Sequence, residues 1–165
     1  MTTPRFPFAN IDKVQERIGQ FFREHDATGL VSSAACGADL LALGSARKLG
    51  IRRRIVLPCA SDQFRAQSVT DRPGNWASLY DIVIAEARAS GELTILEPAI
   101  EGNDGYRRAN HEILAQSLLL ARASGDRIAA AVVWDQVSRG PDDVSENLGR
   151  EARKLGLDVF EISTL

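Results

Sequence analysis

Small side chains precede an apolar run in VSSAACGADLLAL, residues 31–43, where a strand pattern changes into a helix pattern. A helix that begins near Gly37 presents unpaired backbone N–H groups and the positive end of its dipole. Small residues let a ligand approach that backbone, so Ser33, Gly37 and Asp39 predict a site for phosphate or another anion. Tight packing of helix against strand explains the same residues, and the stretch matches neither GxGxxG nor a P-loop.

Cys36 lies in the same stretch, where a helix dipole can lower the pKa of a thiol and make it a nucleophile. No histidine stands near it in the sequence, and His111 helps only if the fold brings it close. Cysteine is also a common small buried residue. Two cysteines and two histidines, widely spread, give no zinc-type spacing. We expect no metal and no cofactor, and reduced thiols in a cytoplasmic protein.

Asp62, Arg65 and Ser68 share one face of a short predicted helix, because they stand at positions i, i+3 and i+6. Arginine suits bidentate recognition of phosphate or carboxylate, so Arg65 is a candidate partner for an anion near the Gly37 helix. A surface salt bridge between Asp62 and Arg65 is the structural alternative.

Two further polar groups follow predicted strands. Tyr106, Arg107 and Asn110 open a long helix, where they either contact a sugar or base edge or simply cap and solvate the helix. Trp134 and Asp135 end the most apolar strand. They offer a ring that can stack on a base and a carboxylate that can accept its hydrogen bonds.

The elements that position these residues alternate along the chain. Strand patterns cover residues 29–33, 55–57, 93–96, 128–134 and 157–162; helix patterns cover residues 11–25, 37–49, 61–68, 76–89, 106–123 and 144–155. This alternation predicts one α/β domain over residues 1–165, a three-layer Rossmann-like domain with a mostly parallel five-stranded sheet. Ligands of such sheets bind at the carboxyl ends of strands, where the strand order switches.

Composition excludes several classes of partner. The chain has 165 residues and a net charge of −2, so its overall charge favours neither nucleic acid nor a membrane surface. The basic run Arg52, Arg53 and Arg54 is expected to be a solvated face rather than a phosphate site. No segment reaches the roughly 20 apolar residues of a membrane span, and the first residues show no signal-peptide pattern.

Five stretches together resemble the SLOG superfamily of Rossmann-like domains, which are related to the LOG phosphoribohydrolases and the DprA proteins. They are SSAACGADLLAL, RRRIVLPCASDQFRAQSV, W…LYD, YRRANHEIL and AAAVVWD, within residues 28–162. The resemblance implies an α/β domain that binds a nucleotide or nucleotide-derived ligand. Some members hydrolyse the N-glycosidic bond of nucleoside monophosphates and others act as ligand sensors. By position, it places near the ligand Ser33, Gly37, Asp39, Arg65, Ser68, Asn110 and Asp135.

The sequence departs from the family pattern in two places, and both bear on the expected ligand site. The enzymes carry a PGGxGTxxE loop, of which residues 139–146, RGPDDVSE, keep only Gly140 and Glu146. Asp142 and Asp143 place negative charge where a phosphate would bind. The family also usually begins with a strand that leads into a glycine-rich turn, and this sequence starts after that point. One edge of the ligand site is therefore missing, changed or supplied by a partner.

Three functions compete on this basis. Binding or sensing of a nucleotide-like small molecule fits the retained Gly37 region and the altered loop. The alternative is a nucleoside 5′-monophosphate phosphoribohydrolase with Glu146 and Arg65 as its catalytic residues. The third is a protein-interaction domain that has no ligand, because an uncovered sheet edge can pair with another chain, for example in a homodimer.

Overall fold

Helices and parallel strands alternate in a computed structural model, which describes residues 6–141 and 143–165. A short 3-10 turn, Phe8–Asn10, precedes the first helix. The helices are α1 (Ile11–Glu24), α2 (Ala38–Lys48), α3 (Ser61–Ser68), α4 (Ala77–Ala89), α5 (Gly102–Ser124) and α6 (Val144–Lys154). The strands are β1 (Gly29–Ser32), β2 (Arg52–Leu57), β3 (Leu93–Ile95), β4 (Ala129–Trp134) and β5 (Asp158–Ser163). The predicted α/β class is confirmed.

Most element boundaries lie within one residue of the prediction, and α5 is an exception. It begins at Gly102, four residues before the predicted start. Gly105 explains the difference, because a Cβ built on it would lie 2.0 Å from the carbonyl oxygen of Ile100. Glycine therefore lets the first turn of α5 pack against the preceding loop, and in the sequence this glycine resembles a loop residue.

The strands form two separate parallel sheets, in the orders β1-β2-β3 and β4-β5. The predicted single five-stranded sheet is therefore wrong. Within residues 6–141 and 143–165, no backbone ladder joins β1 to β4. Neighbouring strands pair at about 4.8 Å. The strands β1 and β4 are not neighbours of this kind; α5 packs on β1 and β2, whereas α6 packs on β4 and β5.

The two sheets lie in one layer of the molecule. Leu30 of β1 and Val133 of β4 both pack into the main core, which also contains α1 and α2 residues. The opposite faces both meet the α5 side, where Val31 packs against Ile113 and Ala130 packs with Leu114. Helices α5 and α6 thus lie on one side of the two sheets, and α1 and α2 lie on the other.

An open space separates β1 from β4, and we call it the inter-sheet cleft. It has a volume of about 1830 Å³ and is lined by residues 29–33 and 129–133, with α1 and α5 side chains on its two sides. At its amino end, the Thr28 hydroxyl donates to Asp126 Oδ2 at 3.0 Å. The cleft is where the predicted sheet is interrupted.

The basic run lies on β2 and is paired with glutamates. Arg52 and Arg54 bond the two carboxylate oxygens of Glu92 at 2.6 and 2.7 Å, and Arg53 bonds Glu86 at 2.9 Å. These arginines fix β2 against its neighbours. Among the described residues, none of the helices has both the length and the apolar character that crossing a membrane requires.

Candidate functional site

The loop between β1 and α2, residues 33–37, lies at the carboxyl end of the inter-sheet cleft, and we call it the β1–α2 loop. Two hydrogen bonds hold it in place. The Cys36 N–H donates to the Ser68 carbonyl at 2.8 Å, and the Ala35 N–H donates to Asp39 Oδ2 at 3.1 Å. Gly37 turns the chain into α2 with a φ of +95°, a conformation that L side chains rarely adopt.

Several polar groups of this loop have no hydrogen-bond partner among the described residues. The N–H groups of Gly37 and Ala38 find no acceptor among the described residues. The hydroxyl of Ser33, a residue 9% exposed, is buried without a hydrogen-bond partner. The closest atom to a Cβ built on Gly37 is 3.8 Å away, in the ring of Phe6. This loop can therefore accept an anion or a polar ligand group without losing existing bonds.

The Asp39 carboxylate lies where burial disfavours its charged form. Burial raises its pKa to about 6, although the Ala35 N–H and the Ser32 hydroxyl both favour the charged form. Near neutral pH it is charged and accepts hydrogen bonds. A hydroxyl group of a ligand suits Asp39, whereas a phosphate placed directly against it does not.

Cys36 does not have the environment of an activated nucleophile. Burial raises the pKa of its thiol, and the negative charges of Asp71 and Asp39 act in the same direction. The positive charge of Arg72 opposes them without reversing the shift. The thiol is therefore protonated at neutral pH, and the dipole of α2 does not produce a thiolate.

Ser68 and Tyr106 meet at the cleft wall. Their hydroxyl groups are hydrogen-bonded to each other, and the Tyr106 ring lies 6.3 Å from the ring of Phe64. Burial raises the pKa of Tyr106. Both Ser68 and Tyr106 line the cleft, as do Ser33 and Gly37, so the structure brings these residues together.

Asn110 lines the cleft as well, but its amide already has partners. Its Nδ2 donates to the Val144 carbonyl at 3.1 Å and to Asn147 Oδ1 at 3.2 Å. These bonds join α5 to α6. Asn110 therefore positions the cleft wall, and its amide N–H groups are engaged by the protein.

Arg65 lies outside the cleft. Its Nε and Nη2 form a bidentate pair with the carboxylate of Asp81 on α4, at 2.9 and 3.0 Å. The partner is therefore neither Asp62 nor an anion near Gly37. The bond raises the pKa of Arg65 and lowers the pKa of Asp81, as expected for an exposed ion pair.

Trp134 and Asp135 end β4 but do not line the cleft. Trp134 is 8% exposed and lies on the buried face of β4 with Val132. The Asp135 carboxylate accepts from Arg139 Nη2 at 2.8 Å and from the Val137 N–H at 3.2 Å. The predicted stacking ring is thus enclosed by protein, and the predicted carboxylate holds its own loop.

That loop, residues 135–143, connects β4 to α6, and we call it the β4–α6 loop. Asp143 caps α6, accepting from the Glu146 N–H at 3.1 Å and from the Arg139 N–H at 3.0 Å. The Glu146 carboxylate is hydrogen-bonded to the Ser138 hydroxyl. Glu146 does not line the cleft. Asp142, predicted to repel a phosphate, lies outside the described residues.

Arg72 is a cleft residue that sequence reasoning missed. It follows Asp71 in the loop after α3, lies near Cys36, and its side chain is 73% exposed. It follows a helix, whereas ligand-binding residues of such sheets are expected after strands. Its only sequence signal is a lone positive charge in a loop rich in proline and glycine.

No group of three or more metal-ligating side chains occurs in the part of the chain that the structure describes. No family model matches the chain, and no curated protein matches it either. The resemblance to the SLOG superfamily therefore stays a prediction, and the geometry of the cleft is the basis on which a function is assigned.

Proposed function

We propose that the carboxyl end of the inter-sheet cleft binds a nucleotide-derived small molecule. The observation that carries this proposal is the open β1–α2 loop at the carboxyl end of β1, beside the gap between the two sheets. Strands β1 and β4 are edge strands of their sheets, and both line the cleft. Open α/β sheets bind ligands in the crevice at such a point, outside the carboxyl ends of the strands.

The open groups fit the parts of a phosphorylated sugar. The N–H groups of Gly37 and Ala38, at the start of α2, suit a phosphate. The Ser33 hydroxyl and the Asp39 carboxylate suit sugar hydroxyls, which both donate and accept. The exposed Arg72 supplies the positive charge that a phosphate needs at the rim of the cleft.

Hydrolysis receives no support from the same geometry. Glu146 and Arg65, the residues predicted for the phosphoribohydrolase alternative, are engaged with Ser138 and Asp81 away from the cleft. Cys36 is a protonated thiol. Binding without bond cleavage is therefore the function that we propose.

A thermal-shift panel tests this proposal. Nucleoside monophosphates, nucleoside diphosphates and ADP-ribose are added to the full chain, and free base is assayed in the same samples. A ligand present at 100 times its Kd stabilises the folded state by about 2.7 kcal/mol. We expect at least one compound to raise the melting temperature, with no base released.

Ser33→Ala is the variant that locates the site, and Ser138→Ala in the β4–α6 loop is its matched control. Loss of the Ser33 hydroxyl should weaken binding about fivefold, since one hydrogen bond contributes about 1 kcal/mol. The control should leave the affinity unchanged. The proposal fails if no compound shifts the melting temperature, or if both variants weaken binding equally.

A further inference from the structure

Two open N–H groups and an acidic side chain meet in the first turn of α2. The N–H groups belong to Gly37 and Ala38, and neither has an acceptor among the described residues. Asp39 follows directly in the sequence and lines the inter-sheet cleft with them. The Ser33 hydroxyl, buried and without a partner, belongs to the lining of the same cleft. The place that the proposed function gives to a phosphate is therefore bordered by a carboxylate.

A hydrogen bond keeps the Asp39 carboxylate against the backbone of the β1–α2 loop. The Ala35 N–H donates to its Oδ2 at 3.1 Å. The next residue, Cys36, donates its N–H to the Ser68 carbonyl at 2.8 Å, which ties the loop to α3. The carboxylate therefore cannot turn away from the loop without breaking a bond. Like charges repel at short range, so a charged Asp39 weakens the binding of an anion at the start of α2.

The titratable and charged groups around Asp39 belong to the β1–α2 loop, to α5 and to two further loops of the cleft. Helices α1 and α4 pack against α2 through apolar core side chains. Burial raises the pKa of the Cys36 thiol and of the Tyr106 hydroxyl above their ordinary values, so both stay neutral up to pH 8. Burial and hydrogen bonds, rather than a charged neighbour, set the pKa of Asp39. The charged side chains of the two further loops are Asp71, Arg72, Arg139 and Asp143.

Protonation of Asp39 takes place close to neutral pH in the free protein. Burial raises its pKa to about 6, so the carboxyl is mostly charged at pH 8 and mostly neutral at pH 5. An anion bound beside it favours the neutral form and raises this pKa further. A tenfold coupling corresponds to about one pKa unit, which gives a pKa of about 7 in the bound state. Affinity for the anion is therefore highest below about pH 6 and falls as the pH rises through about 7.

We propose that Asp39 couples anion binding at the β1–α2 loop to the uptake of one proton, so that mildly acidic conditions tighten binding. This inference rests on the proposed function and adds regulation to the same site. The neutral carboxyl no longer repels the anion, and its O–H becomes a hydrogen-bond donor. Because coupling between two binding events is reciprocal, the bound anion also holds the proton. The site thus responds to the pH together with the concentration of its ligand.

A titration of the full chain with sulfate tests the coupling. Sulfate keeps both of its negative charges between pH 5 and pH 8, whereas a phosphate monoester itself titrates at about pH 6. The backbone amide signals of Gly37 and Ala38 measure its Kd at constant ionic strength. We expect the Kd to be about tenfold lower at pH 5 than at pH 8. The Ala35 amide signal, which reports the charge of its acceptor Asp39, should shift its midpoint upward by about one pH unit in saturating sulfate.

Asp39→Asn and His25→Gln are the test variant and its matched control. Both side chains line the cleft, but His25 precedes β1 and its ring lies 4.6 Å from the ring of Phe160. Histidine is the side chain that ordinarily changes charge in this pH range. Asp39→Asn should bind sulfate with the same affinity at pH 5 and pH 8, although the overall charge of the protein still changes. His25→Gln should keep the difference of about tenfold.

Three outcomes would overturn the coupling. They are equal affinity of the wild type for sulfate at pH 5 and pH 8, a pH dependence that persists in Asp39→Asn, and no binding of sulfate at any pH. Calorimetry of the wild type at pH 6.5, in two buffers of different ionisation enthalpy, needs no variant and should show uptake of about half a proton per sulfate. No uptake would contradict the coupling as well. The nucleotide panel decides the proposed function separately, because binding that is independent of pH leaves that function intact.

Discussion

The β1–α2 loop and the β4–α6 loop both follow a strand at the carboxyl end of a sheet, and they differ in where their polar groups go. In the first, the Ser33 hydroxyl and the Gly37 N–H have no partner among the described residues. In the second, Asp135 bonds Arg139, and Asp143 caps α6. Both loops contribute to the cleft lining, but the polar groups of the first have no partner there, whereas Asp135, Arg139 and Asp143 of the second bond within their own segment.

The difference teaches that residue type alone does not identify a binding loop. Serine and glycine occur in both segments. Asp143 meets the N–H of the residue three positions later, as helix caps do. Ser33 has no such neighbour, and burial without a partner costs stability. A polar side chain with a nearby partner in the sequence is therefore structural until shown otherwise.

Asp39→Asn, at the start of α2, should give the largest change in the free energy of unfolding. Burial disfavours the charged carboxylate, so the folded-state pKa of about 6 lies above the unfolded value near 3.9. The protonated Asp39 therefore favours the folded state, and this contribution to stability is complete below about pH 4. It is lost as the pH rises through about 6. Asparagine keeps an acceptor for Ala35 without the charge.

The variant should exceed the wild type in stability at pH 7 by up to about 3 kcal/mol, the equivalent of a shift of roughly two pKa units. The difference should shrink toward zero near pH 4. Urea unfolding at pH 4, 5, 6 and 7 measures it. A difference that stays constant over this range would mean that Asp39 is not destabilised by its burial.

Gly37→Ala and Gly140→Ala form a matched pair, one in each loop. Both glycines have a positive φ, +95° and +104°, and neither has an atom within 3.4 Å of a built Cβ. Each substitution should cost about 2 kcal/mol through backbone strain. Only Gly37→Ala should also weaken binding of the ligand found in the thermal-shift panel. Equal losses of affinity would remove the contrast between the loops.

Asp143→Ala should have the smallest effect, about 1 kcal/mol, because it removes a helix cap. Asp143→Asn should restore most of that stability, since asparagine caps helices nearly as well. Denaturant titration measures both, and ligand affinity should be unchanged in each. Weaker ligand binding in the asparagine variant would show that the β4–α6 loop belongs to the site after all.

Sequence patterns predicted local structure well where the interactions are local. The helix over residues 61–68 was predicted with its observed bounds, and β3 and β4 each differ by one residue. β2 begins three residues earlier than predicted, because Glu92 and Glu86 neutralise the arginines of its first half. Those glutamates lie more than 30 residues away in the sequence, beyond any local pattern.

The residues of the candidate site also divide into those placed by local pattern and those placed by distant partners. The structure brings five of the predicted residues to the cleft lining: Ser33, Gly37, Asp39, Ser68 and Asn110. Other candidates are turned elsewhere by distant partners or by burial. They are Arg65, which is held by Asp81; Glu146, which is held by Ser138; Asp135, which is held by Arg139; and Trp134, which lies on the buried face of β4.

The sequence by itself determined the α/β class, the alternation of elements and the small-residue turn into α2, because hydrophobic periodicity and glycine geometry act within a few residues. Only the tertiary structure decided that β1 and β4 stand apart, that a cleft divides the sheet, and which polar groups remain open. Strand spacing and hydrogen-bond partnership depend on how α1 and α5 pack across both sheets, and residues far apart in the chain set that packing.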